Sequence, residues 1–214
     1  MKTAEKKYSM LKNAFKCVLV LGIITVVCVA LLALANKFLA VEITLDKATA
    51  RIINQMAPTG VDDDTAYSEG YVKLVDLSKG GYNYKSVNDY NKKGSNKKVR
   101  ALYTSQNAES GKLSYIVEAE AKGRDAAIVM LVAYDEDLKI AKVHVKSQAE
   151  SYWDRIEAKK GLLDEFIGLS GTIESDRIAT KTGATSSLGG IVGAVNTANG
   201  FIASLKAVET AGGE

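Results

Sequence analysis

Six consecutive residues, Thr182-Gly183-Ala184-Thr185-Ser186-Ser187, stand directly before the apolar, small-residue run LGGIVGAVNTANGFIASLK at 188–206. Hydroxyls and a glycine at a helix start make a seat for an anion. The first-turn N–H groups have no partner inside the helix, and the helix dipole favours negative charge there. A phosphate fits such a seat. The same residues also serve as plain caps, with Ser186 or Ser187 accepting from the first turn, and capping is the commoner use of this composition.

Other residues carry weaker chemical signals. Glu150-Ser151-Tyr152-Trp153-Asp154 places a carboxylate beside the only tryptophan, whose ring serves either to stack on a cofactor or to cover a core. His144 is the only histidine; a catalytic or metal role lacks companions, and it reads as an exposed or hydrogen-bonded side chain. Cys17 and Cys28 fall short of the four thiolates an iron–sulfur cluster usually needs and read as small apolar residues. Asp62-Asp63-Asp64 lacks the alternating spacing and turn glycine of a calcium loop and reads as a solvated acidic turn. No metal site and no catalytic group is assigned.

The elements that must position these residues begin with an anchor. From Cys17 to Ala35 the chain runs CVLVLGIITVVCVALLALA, 19 residues without a charge, about what a helix needs to cross a ~30 Å hydrocarbon layer. We read 17–39 as a transmembrane helix after a basic N-terminus at 1–16. Five lysines precede it and Lys37 alone follows closely, so the N-terminus is expected in the cytoplasm and the main domain outside, on the cell membrane. A cleaved signal peptide is the alternative, because Ala33-Leu34-Ala35 has a small-x-small pattern.

Of 214 residues, 28 are Lys or Arg and 25 are Asp or Glu, but residues 1–40 hold six lysines against Glu5. The body is therefore near neutral. The dense basic cluster sits beside the apolar run, so a nucleic-acid partner is set aside in favour of the lipid bilayer. The body has no cysteine, and no disulfide framework is expected to hold it together.

Residues 40–98 are expected as a stalk helix over Val41–Met56, ending before Pro58, followed by irregular chain with a short strand near Tyr71–Val75. A domain over 99–214 follows. Period-two patterning predicts strands at 99–105, 113–121, 126–134 and 139–147, at hairpin spacing, for an antiparallel, strongly bent sheet. In the last strand His144 points to the face opposite Val143 and Val145. One helix is expected from a cap at Ser151 or Asp154 to Gly168, with Ile156, Leu162, Leu163, Phe166 and Ile167 on one face. An extended piece at Thr172-Ile173 and the helix over 188–206 complete an α+β domain with flanking helices.

With TGATSS opening a C-terminal helix after a small sheet, and one N-terminal apolar span, the chain resembles the family of FMN-binding subunits common to the Rnf ion-translocating oxidoreductase and the Na⁺-translocating NADH:quinone reductase. The resemblance covers the anchor and residues 99–206. It implies FMN held by a phosphoester to the hydroxyl of Thr185, with Thr182, Gly183 and Ala184 as motif neighbours. Ser186, Ser187, Glu150 and Trp153 join them as expected cofactor-binding residues. Two places depart from the family pattern: Ala179 stands where aspartate is usual, with Asp176 upstream, and the segment after Glu150 lacks the Pro-Gly of the family's Glu-Thr-Pro-Gly.

A threonine hydroxyl is a poor nucleophile, so a separate FMN transferase must form the ester, and the amides after Thr185 would hold the phosphate. The resemblance implies an electron-transfer subunit of a membrane-bound ferredoxin:NAD⁺ oxidoreductase, working with other membrane subunits and not a complete enzyme alone. The Rnf type is preferred to the quinone-reductase type because the chain is short. A flavin-less structural or assembly subunit and a stand-alone anchored FMN reductase are the alternatives.

Overall fold

A computed structural model describes residues 18–22, 24–29, 31, 44–77, 96–178 and 183–211, with side chains to 205. The chain divides into two compact units, Met1–Thr44 and Leu45–Glu214. In the first unit the described residues form a short apolar helix, Val18–Val29, with exposed side chains that include Cys28. Apart from Leu31, the rest of the span read at 17–39, with Cys17, lies outside the described residues.

The second unit is α+β, built on a five-stranded antiparallel sheet in the order β1-β2-β3-β4-β5. Its strands are β1 (Val72–Leu74), β2 (Lys97–Gln106), β3 (Leu113–Lys122), β4 (Ala127–Tyr134) and β5 (Ile140–Ser147). The four long strands expected from period-two patterning are present, and the short strand near Tyr71 is the edge strand β1. Register shifts between Val99 and Ala101, Val129 and Met130, and Ala133 and Tyr134 interrupt the ladders; such bulges bend a strand and increase its twist.

Both faces of the sheet are covered, which is why β4 reads as a nearly unbroken apolar run. On one face Val117, Ala119, Ile128, Met130 and Val132 pack under α4 (Thr185–Ala211). That helix contributes Leu188, Ile191, Val195, Ala198, Phe201 and Ile202, spaced three and four apart. Among the described residues it is the one helix long and apolar enough to cross a membrane. However, 61% of its apolar window is buried inside the domain, as befits a core helix. Truncating Phe201, which is fully buried, to alanine should cost about 3–5 kcal/mol.

On the other face lies α1 (Lys47–Met56), expected as a stalk. The structure corrects that reading: Ala50, Ile53 and Met56 are buried against Ala101, Tyr103, Ile116 and Leu131. The helix is a wall of the domain because its apolar stripe, which a free stalk would leave wet, has a sheet face to cover. Asp46 caps it by accepting from Thr49 N at 2.8 Å, and it ends before Pro58 as expected.

The acidic run is likewise not an irregular turn but the start of α2 (Asp63–Ser68), with Asp62 as cap. Asp63 pairs with Arg51 at 2.9 Å and Asp64 with Lys47 at 2.8 Å, which ties α2 to α1.

The helix expected between Ser151 and Gly168 is in two pieces. They are α3 (Trp153–Glu157), preceded by Tyr152 with no side-chain cap, and a 3-10 turn at Leu162–Phe166. Gly161 separates them at φ 79°, a left-handed conformation that breaks an α-helix. Ile156, Leu162 and Phe166 are buried as expected, whereas Ile167 is exposed.

Candidate functional site

The hydroxyl-rich motif enters α4 through Gly183, whose φ of 69° turns the chain into the helix. Ala184 is buried, and its carbonyl accepts from Leu188 N at 3.0 Å. Thr185, Ser186 and Ser187 therefore form the first turn, where N–H groups have no partner within the helix. Thr185 and Ser186 are exposed, whereas Ser187 is buried. Thr182, with Ala179, lies outside the described residues.

Ser187 turns inward because its hydroxyl donates to Glu150. The same carboxylate accepts from the backbone N–H groups of Arg124 (2.9 Å), Asp125 (3.0 Å) and Ala126 (2.9 Å) in the β3–β4 turn. Burial pushes its pKa up. The Ser187 hydroxyl and the three N–H groups outweigh that and bring it down to about 2. Glu150 is thus a fixed negative charge that fastens the turn to the first turn of α4. With four donors on it, it is too weak a base to activate Thr185.

Two glycines make the fastening possible. A Cβ on Gly190 would meet the Cα of Gly123 at 2.8 Å, and one on Gly123 would meet the Glu150 carboxylate at 2.6 Å. The helix touches the turn only because neither residue has a side chain.

On the solvent side of the same junction, the guanidinium groups of Arg124 and Arg155 each lie 4.5 Å from the centroid of the Tyr152 ring, within cation–π range. Arg155 also donates to the carbonyl of Gly183 at 2.8 Å, so a cation is held two residues before Thr185. Sequence reasoning missed Arg124, Tyr152 and Arg155. Their signal is three-dimensional, and in sequence they stand apart from the motif.

The expected site residues do not all meet. Glu150 joins Ser187 directly. Trp153 is half-buried in the wall of a separate cleft of about 400 Å³ with His144, Val145 and Ile156, a lining that does not include Thr185. His144 stands opposite Leu131 while Val143 stands opposite Val132, which puts His144 on the α1 face as the alternation requires. Burial, and then the nearby Lys142, hold its pKa below 6.5.

Chemically, the junction offers an exposed hydroxyl at a helix start, two cations on one aromatic ring and a carboxylate already committed elsewhere. It can accept a group from another enzyme and neutralise one negative charge. No protein-family model matches the chain, and no curated protein matches it in sequence.

Proposed function

We propose that this chain is the electron-transfer subunit that carries covalently bound FMN in a membrane-bound, ion-translocating ferredoxin:NAD⁺ oxidoreductase of the Rnf type. The observation that carries the reading is Thr185, an exposed hydroxyl on the first turn of α4 with Arg155 fixed on the carbonyl of Gly183. The TGATSS resemblance names the group; the residues present fit its phosphate. Arg155 and the dipole of α4 offset the single charge of a phosphodiester there.

Attachment needs a separate transferase and a flavin nucleotide with a phosphoanhydride bond. The Oγ–P bond to Thr185 forms, the anhydride breaks, and the hydroxyl proton leaves to a base on the transferase. FMN, once bound, supplies the single-electron chemistry. The chain's own residues hold it: Gly183 sets the turn, Ala184 packs beneath it, and Glu150 fixes Ser187 so that the first turn of α4 is rigid. The apolar run at 17–39, with its five preceding lysines, anchors the chain with its N-terminus in the cytoplasm and the domain outside. The other membrane subunits supply and take the electrons.

Mass spectrometry of the tryptic peptide Thr182–Lys206 from native membranes tests the reading. The expected result is an FMN-phosphoryl increment on Thr185 that Thr185→Ala abolishes and Ser186→Ala leaves in place. An unmodified peptide in a host with an active flavin transferase overturns it, in favour of a flavin-less structural subunit.

A further inference from the structure

α1 covers only part of its face of the sheet. Ile116 of β3 and Leu131 of β4 lie beneath it. Further toward the β3–β4 turn the same face carries Lys98 and Arg100 of β2, Glu118, Glu120 and Lys122 of β3, and Lys146 of β5. Alternate residues of a strand keep to one face, which is why Lys122 follows Glu118 and Glu120 there. Two carboxylates serve these cations. Glu118 accepts from the Tyr103 hydroxyl and the Lys146 ammonium, each at 2.8 Å, and Glu120 pairs with Arg100 at 3.0 Å and Lys98 at 3.6 Å.

These pairs are layered in depth. The Glu118 and Glu120 side chains keep 6% and 13% of their surface, whereas Lys98 and Arg100 keep 56% and 47%. The carboxylates therefore lie beneath and the cations face solvent, where Lys122 is also exposed and has no ion pair among the described residues. Other surface pairs are level: Lys47 meets Asp64 and Lys112 meets Glu136, carboxylates that are 73% and 69% exposed. The outer layer of this part of the sheet is thus cationic, and the charge it presents is not cancelled at the same height.

Chain connectivity says what lies opposite. Asp46, the cap of α1, is within electrostatic reach of Lys146 and Tyr103, so the chain enters the domain beside this face. Six residues stand between the apolar span read at 17–39 and Asp46, a reach of at most about 25 Å at full extension. Charge alone suits an acidic protein equally; the tether favours the bilayer, which it holds within reach whatever else is present. We propose that this face docks on the headgroups of an anionic bilayer through Lys98, Arg100, Lys122 and Lys146. The inference rests on the membrane anchor of the reading above and not on the group at Thr185. Docking brings toward the bilayer the end of the sheet that holds the β3–β4 turn, to which Glu150 fastens the first turn of α4.

The full chain, with Cys17 and Cys28 replaced by serine, is reconstituted in vesicles of phosphatidylcholine or of an equal mixture with phosphatidylglycerol, each carrying a nitroxide quencher on the headgroup. A bimane label is placed at Ser147→Cys, exposed and opposite Val129, which stands opposite Glu120 on this face, or at Glu109→Cys, exposed in the β2–β3 turn at the far end. Quenching is expected to be stronger at 147 than at 109, to rise with the anionic lipid, and to fall away in high salt, which screens such attraction. Each cation near an anionic surface shifts docking about fivefold, so Lys98→Gln with Lys122→Gln should cancel most of the rise, and Lys98→Arg with Lys122→Arg should keep it. Lys122→Gln alone carries the test if the double variant fails to fold. Equal quenching at the two sites, or in the two lipids, overturns the proposal. A shift of bimane emission at 147 on added poly-glutamate, with no dependence on lipid charge, assigns the face to an acidic protein and overturns it too. Extraction with alkaline carbonate separates the two readings: a chain stripped from the vesicles refutes the anchor, and a chain retained without headgroup quenching refutes the docking alone.

Discussion

Replacing Glu150 by glutamine tests whether the junction is held by a buried charge. Glutamine keeps the shape but turns an NH₂ toward donors that were bonded to a carboxylate, leaving at least one backbone N–H of the β3–β4 turn facing another donor. The magnitude follows from the pKa. At 1.36 kcal/mol per unit, the drop from 4.5 to about 2 corresponds to about 3 kcal/mol at neutral pH. The carboxylate is covered but lies close to the surface, and solvent screening brings the working figure to about 2 kcal/mol. For a unit of this size that is a fall in Tm of about 4–8 °C. Because the folded pKa lies below the ordinary value of 4.5, the stabilisation is complete above about pH 4.5 and is lost as pH falls toward 2. Thermal unfolding of the full chain and of Glu150→Gln, followed by circular dichroism from pH 7 to 3, should show two curves that converge in acid. A gap that stays constant across that range would refute the reasoning, as would a Ser187→Ala effect that is the same in both backgrounds.

The glycines of α4 should separate sharply by position. Gly190→Ala is expected to cost about 2–3 kcal/mol, because its Cβ meets backbone that cannot yield, whereas Gly189→Ala meets nothing within 4 Å and should stabilise by up to about 1 kcal/mol; paired thermal melts check both. The His144 ring should titrate below 6.5 in an NMR pH series, and Lys142→Gln should move the midpoint up. Asn196 donates to the carbonyl of Ile173 and accepts from its N–H, each at 2.8 Å, so Asn196→Ala should cost about 2 kcal/mol and loosen amide-exchange protection at Ile173.

The sheet was legible because each strand carries its own evidence. Ile116, Glu118 and Glu120 alternate with Val117, Ala119 and Ala121 within a single segment, and the turn residues lie between segments. The start of α4 was legible for the same reason. The role of Glu150 was not, because its partners lie 24 to 26 residues before it and 37 residues after it, and no local pattern reports such distances. α1 was read as a helix from its spacing, but spacing says only that a stripe is apolar, not which surface will cover it. The break at Gly161 was hidden because Ile156, Leu162 and Phe166 keep an apolar rhythm across it. Burial selects those side chains whether or not the helix is continuous.

Three contacts meet at the first turn of α4. Glu150 pulls Ser187 inward toward the β3–β4 turn, the Gly123–Gly190 contact fixes the distance between turn and helix, and Arg155 holds the carbonyl of Gly183 from the solvent side. Of the three hydroxyls in that turn, Ser187 is consumed by the first fastening, which leaves Thr185 and Ser186 at the surface. Thr185 is the nearer of these to the arginine-held carbonyl, and its position is set by both sides of the junction. A surface hydroxyl needs no such support to cap a helix. A hydroxyl that must present a bound group at a constant distance from an electron partner does need it, because electron transfer depends steeply on that distance. Under the function proposed above, these contacts are what would hold such a group at Thr185 in place.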